Sequence, residues 1–134
     1  VKIVDFAKSP KAVVVSRDEI EEYWGYQVAI SNIALGRLLK SRPFDLLVAT
    51  SKHGAPFTEV IEELMVCWKK AHKILVVFGA PTKGLYDIVA QESLKLSEIT
   101  DFVVNTIPGQ GTETVRTEEA LYASLAILNP LVWK

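Results

Sequence analysis

The chain has 134 residues, 49% of them hydrophobic, with 15 basic against 16 acidic side chains and a single cysteine, Cys67. That length and apolar content suit one domain with its own core and are too short for two comfortable ones. The near-neutral charge excludes a whole-molecule field for nucleic acid, one cysteine excludes an internal disulfide framework, and no apolar run reaches the roughly 18 residues that cross a bilayer. Any RNA or DNA contact must therefore come from a local basic patch, and the expectation is a soluble, cytoplasmic protein without a signal peptide or membrane partner.

The chain opens Val1-Lys2-Ile3-Val4, without Met and as a strand already in progress, which is the expectation for an excised or processed part of something longer. Val1 to Val4 and Ala12 to Val15 are β-branched runs on either side of Ser9-Pro10-Lys11 and predict a hairpin or strand pair. Arg17 to Glu22 reads as a solvated linker or one helical turn. The cluster Tyr23-Trp24-Gly25-Tyr26 that follows reads as a packing anchor rather than a base-stacking platform. Gln27 to Ile30 is strand-like, and Ser31 is placed to cap a helix through Ser41 with Leu35, Leu38 and Leu39 on one face. Arg42-Pro43 ends that helix, because the residue before a proline leaves helical backbone angles.

Phe44 to Ala49 is an apolar run broken only by Asp45, the pattern of a parallel strand covered on both faces. It closes on the polar loop Thr50-Ser51-Lys52-His53-Gly54. A helix from about Pro56 to Ala71 comes next, with Phe57, Val60, Ile61, Leu64 and Trp68 spaced for one buried face. Pro56 suits its first turn and Lys69, Lys70, His72 and Lys73 its C-terminal end. Cys67 reads as core rather than as a nucleophile. Ile74 to Phe78 is a central strand that runs into the loop Gly79 to Gly84, and Leu85 to Leu96 is helical or irregular. Asp101 to Val104 is the last strand and Leu121 to Leu128 the last helix.

Between those two lies the least ordinary stretch of the chain, Asn105 to Ala120. Gly109 and Gly111 permit backbone angles closed to other residues and let a ligand approach the main chain, and Pro108 stiffens the turn. Thr117 is a suitable N-cap, and Glu118 and Glu119 then stabilise the first helical turn through the helix dipole. The same carboxylates disfavour a phosphate there, so a nucleoside-type ligand at this helix end is expected to lack one. Arg116 gains nothing from the dipole; an ion pair with a nearby Glu and an anionic substrate both explain it.

The alternation of strands and helices predicts an α/β fold with a parallel sheet and helices on both faces. Ligands of such sheets sit beyond the C-terminal strand ends, where the loops Thr50 to Gly54, Gly79 to Gly84 and Asn105 to Thr117 converge. No GxxxxGK[ST], GxGxxG or metal-ligand spacing is present, so no metal is expected. His72 reads as a solvated helix end; His53 is open between a surface residue and a substrate contact.

Several of these blocks match a known family in order. Phe102-Val103-Val104-Asn105, Pro108-Gly109-Gln110-Gly111 and Thr114-Val115-Arg116-Thr117-Glu118-Glu119-Ala120 resemble the C-terminal signature of the SPOUT superfamily of trefoil-knotted RNA methyltransferases. Val76-Val77-Phe78-Gly79 with Gly84-Leu85, the Asp45 to Gly54 segment and Tyr23-Trp24-Gly25-Tyr26 are similar to its archaeal and eukaryotic branch, whose members carry an inserted OB-fold. The resemblance covers roughly residues 20 to 130. It implies that residues 1–22 are a remnant of that insertion or a linker, and that 23–134 form the methyltransferase domain without its N-terminal strand.

The resemblance further implies S-adenosylmethionine as methyl donor, a C-terminal trefoil knot, a homodimer, and RNA as substrate, with a ribosomal RNA pyrimidine at a ring nitrogen suggested by eukaryotic relatives. Carried over by position, the donor site comprises Thr50, Ser51, Gly54, Phe78, Gly79, Gly84, Asn105, Ile107, Gly109, Gln110, Gly111, Thr114, Val115 and Thr117. Arg116 becomes the candidate catalytic residue, orienting RNA or stabilising a uridine anion. Relatives often have an acidic-arginine pair where this chain has Lys52-His53, which weakens a substrate role for those two. The competing expectation is a non-catalytic RNA-binding or ribosome-assembly module on the same scaffold.

Overall fold

A computed structural model describes residues 2–5, 11–20, 25–41 and 43–131. The chain divides into two compact units, Val1–Ser31 and Asn32–Lys134. In the first, β1 (Lys2–Asp5) and β2 (Lys11–Val13) pair antiparallel, as the sequence predicts for a hairpin, with a register irregularity between Ile3 and Asp5. A 3-10 turn, Arg17–Glu19, follows. Tyr23, Trp24 and Arg42 lie outside the described residues. Gln27 to Ile30 forms no strand: Tyr26 is 85% exposed and Ile30 91%, so its alternation of apolar residues has no sheet to pair with.

The second unit is built around β3 (Leu46–Pro56), the middle strand of a parallel sheet of order β4-β3-β5, with β4 at Ile74–Val77 and β5 at Phe102–Asn105. Successive residues of a strand point to opposite faces, so β3 feeds two cores at once. Leu47 and Ala49 join Val77 under α1 (Leu35–Lys40), α3 (Leu85–Ala90) and α4 (Leu96–Ile99), around the fully buried Leu39, Leu85, Val89 and Leu96. Leu46 and Val48 join Val104 on the other face under α2 (Phe57–Lys70) and α5 (Thr117–Leu128), with Leu64 and Leu128 completely enclosed. Each such leucine contributes on the order of 2 kcal/mol through apolar burial, which is why the continuous apolar run of β3 is required. Cys67 is a free thiol packed at the edge of this second core, as its helical spacing predicts.

Polar side chains fix where these elements start. The Asp45 carboxylate accepts the backbone N–H groups of Lys73 (2.8 Å) and His72 (2.9 Å), tying the start of β3 to the start of β4. Those two hydrogen bonds, Lys73 first, hold its carboxyl below the ordinary aspartate range. The tie is therefore complete at pH values above that range and is lost as pH falls through the depressed value. Asp101 does the same for the β5 side, its Oδ2 accepting the Leu47 N–H at 2.8 Å.

Two predicted helix starts are corrected. Ser31 does not cap the first helix; α1 begins at Leu35 and its free N–H groups at Gly36 and Arg37 are satisfied by the Glu92 carboxylate, at 2.7 and 3.1 Å. Thr117 is the first residue of α5 rather than its cap. The cap is Arg116, whose backbone N–H is accepted by the Glu119 carboxylate at 3.2 Å.

Candidate functional site

The chain leaves β3 toward one face of the sheet, through α2, and leaves β4 toward the other, through α3 and α4. Connections that part in this way open a crevice at the C-terminal edge of the strands. A cleft of about 890 Å³ lies there, walled by the ends of all three strands.

The first wall comes from β3 itself. Thr50 and Ala55 both pair with Val104 of β5, so residues 51–54 are extruded as an excursion within the strand rather than as the loop after it. The sequence could not disclose this second return to the ladder, because polar Thr50 to Gly54 carries no strand pattern. Gly54 makes the return possible. A Cβ there would sit 2.6 Å from the Val103 carbonyl oxygen, so only glycine lets the excursion close against β5. The Thr50 hydroxyl donates to the Val77 carbonyl at 2.9 Å and fixes the excursion against β4 as well.

The second wall is the Gly79 to Gly84 loop, closed on itself by Ala80 N–H to Lys83 O at 2.9 Å, and the first turn of α3 directly after it. The third is the connection from β5 to α5. Asn105 organises its start: its Oδ1 accepts the Ile107 N–H at 3.0 Å and its Nδ2 donates to the Lys52 carbonyl at 3.2 Å. Thr106 shares a 2.8 Å hydrogen bond with the fully buried Ser124 of α5. Gly109 turns the chain at φ +73°, an angle that favours glycine. At the far end the Thr117 hydroxyl reaches the Gly79 carbonyl at 3.4 Å, joining the third wall to the second.

Of the residues nominated from sequence, Thr50, Ser51, Phe78, Gly79, Gly84, Asn105, Ile107, Gln110, Thr114, Val115 and Thr117 line this one cleft. Gly54, Gly109, Gly111 and Arg116 do not. Arg116 is exposed, and among the described residues its guanidinium forms no ion pair with Glu118, Glu119 or any other carboxylate. Of its two sequence explanations, the ion pair is thus absent from the described residues. Lys52 and His53 line the cleft, as do Lys83, Thr106 and Glu113, which lie within the three converging loops without being singled out, and Tyr86 and Asp87, which lie outside those loops. The signal for Tyr86 and Asp87 was their adjacency to Gly84, since a helix that starts immediately after the loop must turn its first residues to the same edge. Among the described residues no group of three or more His, Cys, Asp or Glu is arranged to hold a metal ion, and no helix is long and apolar enough to cross a membrane.

Residues 1–128 match a family model described as "Putative RNA methyltransferase". The chain is 36% identical to the 28S rRNA (uridine-N(3))-methyltransferase of Homo sapiens over 115 residues, 81% of this chain and 29% of that protein. Its counterpart in Mus musculus is 36% identical over 135 residues, 92% of this chain and 33% of that protein. An uncharacterised protein of Haloarcula marismortui is 38% identical over 92 residues, 62% of this chain and 33% of that protein. The chain therefore spans about a third or less of the length of these relatives. Since the family model runs through nearly the whole chain, the chain belongs to this family of RNA methyltransferases.

Proposed function

We propose that this chain is the donor-binding and catalytic part of an S-adenosylmethionine-dependent RNA methyltransferase acting on ribosomal RNA. The observation that carries the reading is the convergence of three strand-end segments on one cleft in a chain of this family. A volume of about 890 Å³ lies within the usual range for small-molecule sites. The apolar Phe78, Ile107 and Val115 suit a nucleoside base, and the cleft carries both signs of charge, Asp87 and Glu113 beside Lys52 and Lys83, for a ligand that carries both. Glu118 and Glu119 in the first turn of α5 oppose a phosphate at that helix end, in keeping with a donor that has none.

A bound S-adenosylmethionine would supply the methyl of its sulfonium by in-line displacement, a bond from the nucleophile to the methyl carbon forming as the carbon–sulfur bond breaks and the neutral thioether departs. The chain's part is positioning: loop backbone and the Thr50, Asn105 and Thr117 side chains hold the walls together, so that little rearrangement remains when ligands bind. Arg116, exposed and without an ion pair among the described residues, is our candidate for contacting the RNA and favouring an ionised uridine, because a nearby cation stabilises the anion. The mammalian relatives are named 28S rRNA (uridine-N(3))-methyltransferases, which makes the N3 position of a uridine the proposed target. We further propose the SPOUT arrangement, with the 105–117 connection as the knot segment beside the Gly79 to Gly84 loop, a homodimer that completes the pocket, and residues before 23 as the exit of an inserted OB-fold. The Thr117 to Gly79 hydrogen bond supports the first of these. A half-buried free thiol at Cys67 suits the reducing cytoplasm.

Incubation of the chain with methyl-labelled S-adenosylmethionine and ribosomal RNA tests the function. Label in RNA, at uridine N3 after digestion, is the expected result. RNA retention without label would instead favour a non-catalytic scaffold.

A further inference from the structure

The connection between β5 and α5 is fixed at both ends. Thr106 is held by Ser124 at its start, and Arg116 by Glu119 and Thr117 by Gly79 at its end. Ile107 is held by the Asn105 side chain of β5, and the middle beyond it, residues 108–115, is different. The hydrogen bonds of Gln110 and Thr112 stay within the connection, to the carbonyls of Thr112, Glu113 and Thr114. Among the described residues, the bond that carries this middle to another element is the one from Lys52 Nζ to the Glu113 carbonyl, at 3.2 Å.

Lys52 is well placed for this. It sits in the β3 excursion, and its own carbonyl accepts the Asn105 side chain, so its main chain is anchored while its side chain reaches across. Gln110 Nε2 donates to the same Glu113 carbonyl at 3.1 Å, which presents that oxygen as a shared acceptor. Gln110, Glu113, Thr114 and Val115 all line the cleft. We propose that Lys52 is a positioning residue: its ammonium ties the middle of the β5–α5 connection to the β3 excursion and so sets the third wall of the cleft. A charged donor strengthens the bond, but Lys52 is exposed and water competes for both partners. The tie is therefore reversible. As a statement about donor affinity this rests on the methyltransferase reading; as a statement about the connection it does not.

The two parts separate in experiment. Backbone ¹⁵N relaxation on the full chain is compared for wild type, Lys52→Met and Lys52→Arg, alongside calorimetric titration with S-adenosylmethionine. Lys52→Met is expected to lower the order parameters of residues 109–114 to below about 0.6 without changing those of β3, β4 or β5, and Lys52→Arg to restore them. The donor dissociation constant is expected to rise about three- to tenfold in Lys52→Met and to return toward wild type in Lys52→Arg. Unchanged order parameters in Lys52→Met overturn the tie, and lost order with unchanged affinity overturns its role in shaping the wall. If wild type itself takes up no donor, the methyltransferase reading fails, and the order parameters still decide the role of Lys52.

Discussion

Arg116 illustrates how position separates roles that sequence leaves open. Its neighbours Val115 and Thr117 line the cleft while Arg116 caps α5 through its backbone and leaves its guanidinium exposed. A side chain outside the proposed donor cleft but beside it is suited to substrate. Arg116→Ala is therefore expected to lower methyl incorporation into RNA by about tenfold or more while leaving the donor dissociation constant within about threefold of wild type. Calorimetry and a labelled-methyl assay on the same preparation read both; loss of donor binding would refute a substrate role. Gly54 carries the opposite lesson. The resemblance counts it in the donor site, yet the Val103 backbone occupies the space beside it, so its requirement is structural.

At the scale of elements, β4 and β5 were legible because a short apolar run between turn signals has little else to be. The strand β3 was legible only to Ala49. Its continuation through the excursion to Pro56 depends on pairing with Val104 from a segment about fifty residues later, which no local pattern encodes. The start of α1 was hidden for the same reason, since the acceptor for its free N–H groups is Glu92, two residues beyond α3, rather than a residue beside it. A Cβ at Gly36 would lie 2.6 Å from the end of the Leu94 side chain, so the two segments pack closely and a larger residue there would displace Leu94. Glu92→Ala removes the acceptor of two helix-end N–H groups and is expected to cost about 1–2 kcal/mol in urea unfolding. A loss below about 0.3 kcal/mol would mean that water satisfies those groups equally well.

For the whole molecule, the alternation of apolar runs predicted a parallel α/β sheet, and three parallel strands with helices on both faces are present. The convergence of three loops followed from strand polarity alone, because parallel strands place all their C-terminal ends on one edge. What the pattern could not supply was how the loops are joined, which rests on Asn105, Lys52 and Thr117 acting across long separations. The chain spans a third or less of its mammalian relatives, and all three segments that wall the cleft belong to it. Isothermal titration of the chain with S-adenosylmethionine, with ATP as the phosphate-bearing control, addresses that cleft directly. Saturable binding of S-adenosylmethionine at sub-millimolar concentration, with none of ATP, is the expected result; absence of S-adenosylmethionine binding, or preference for ATP, would contradict it.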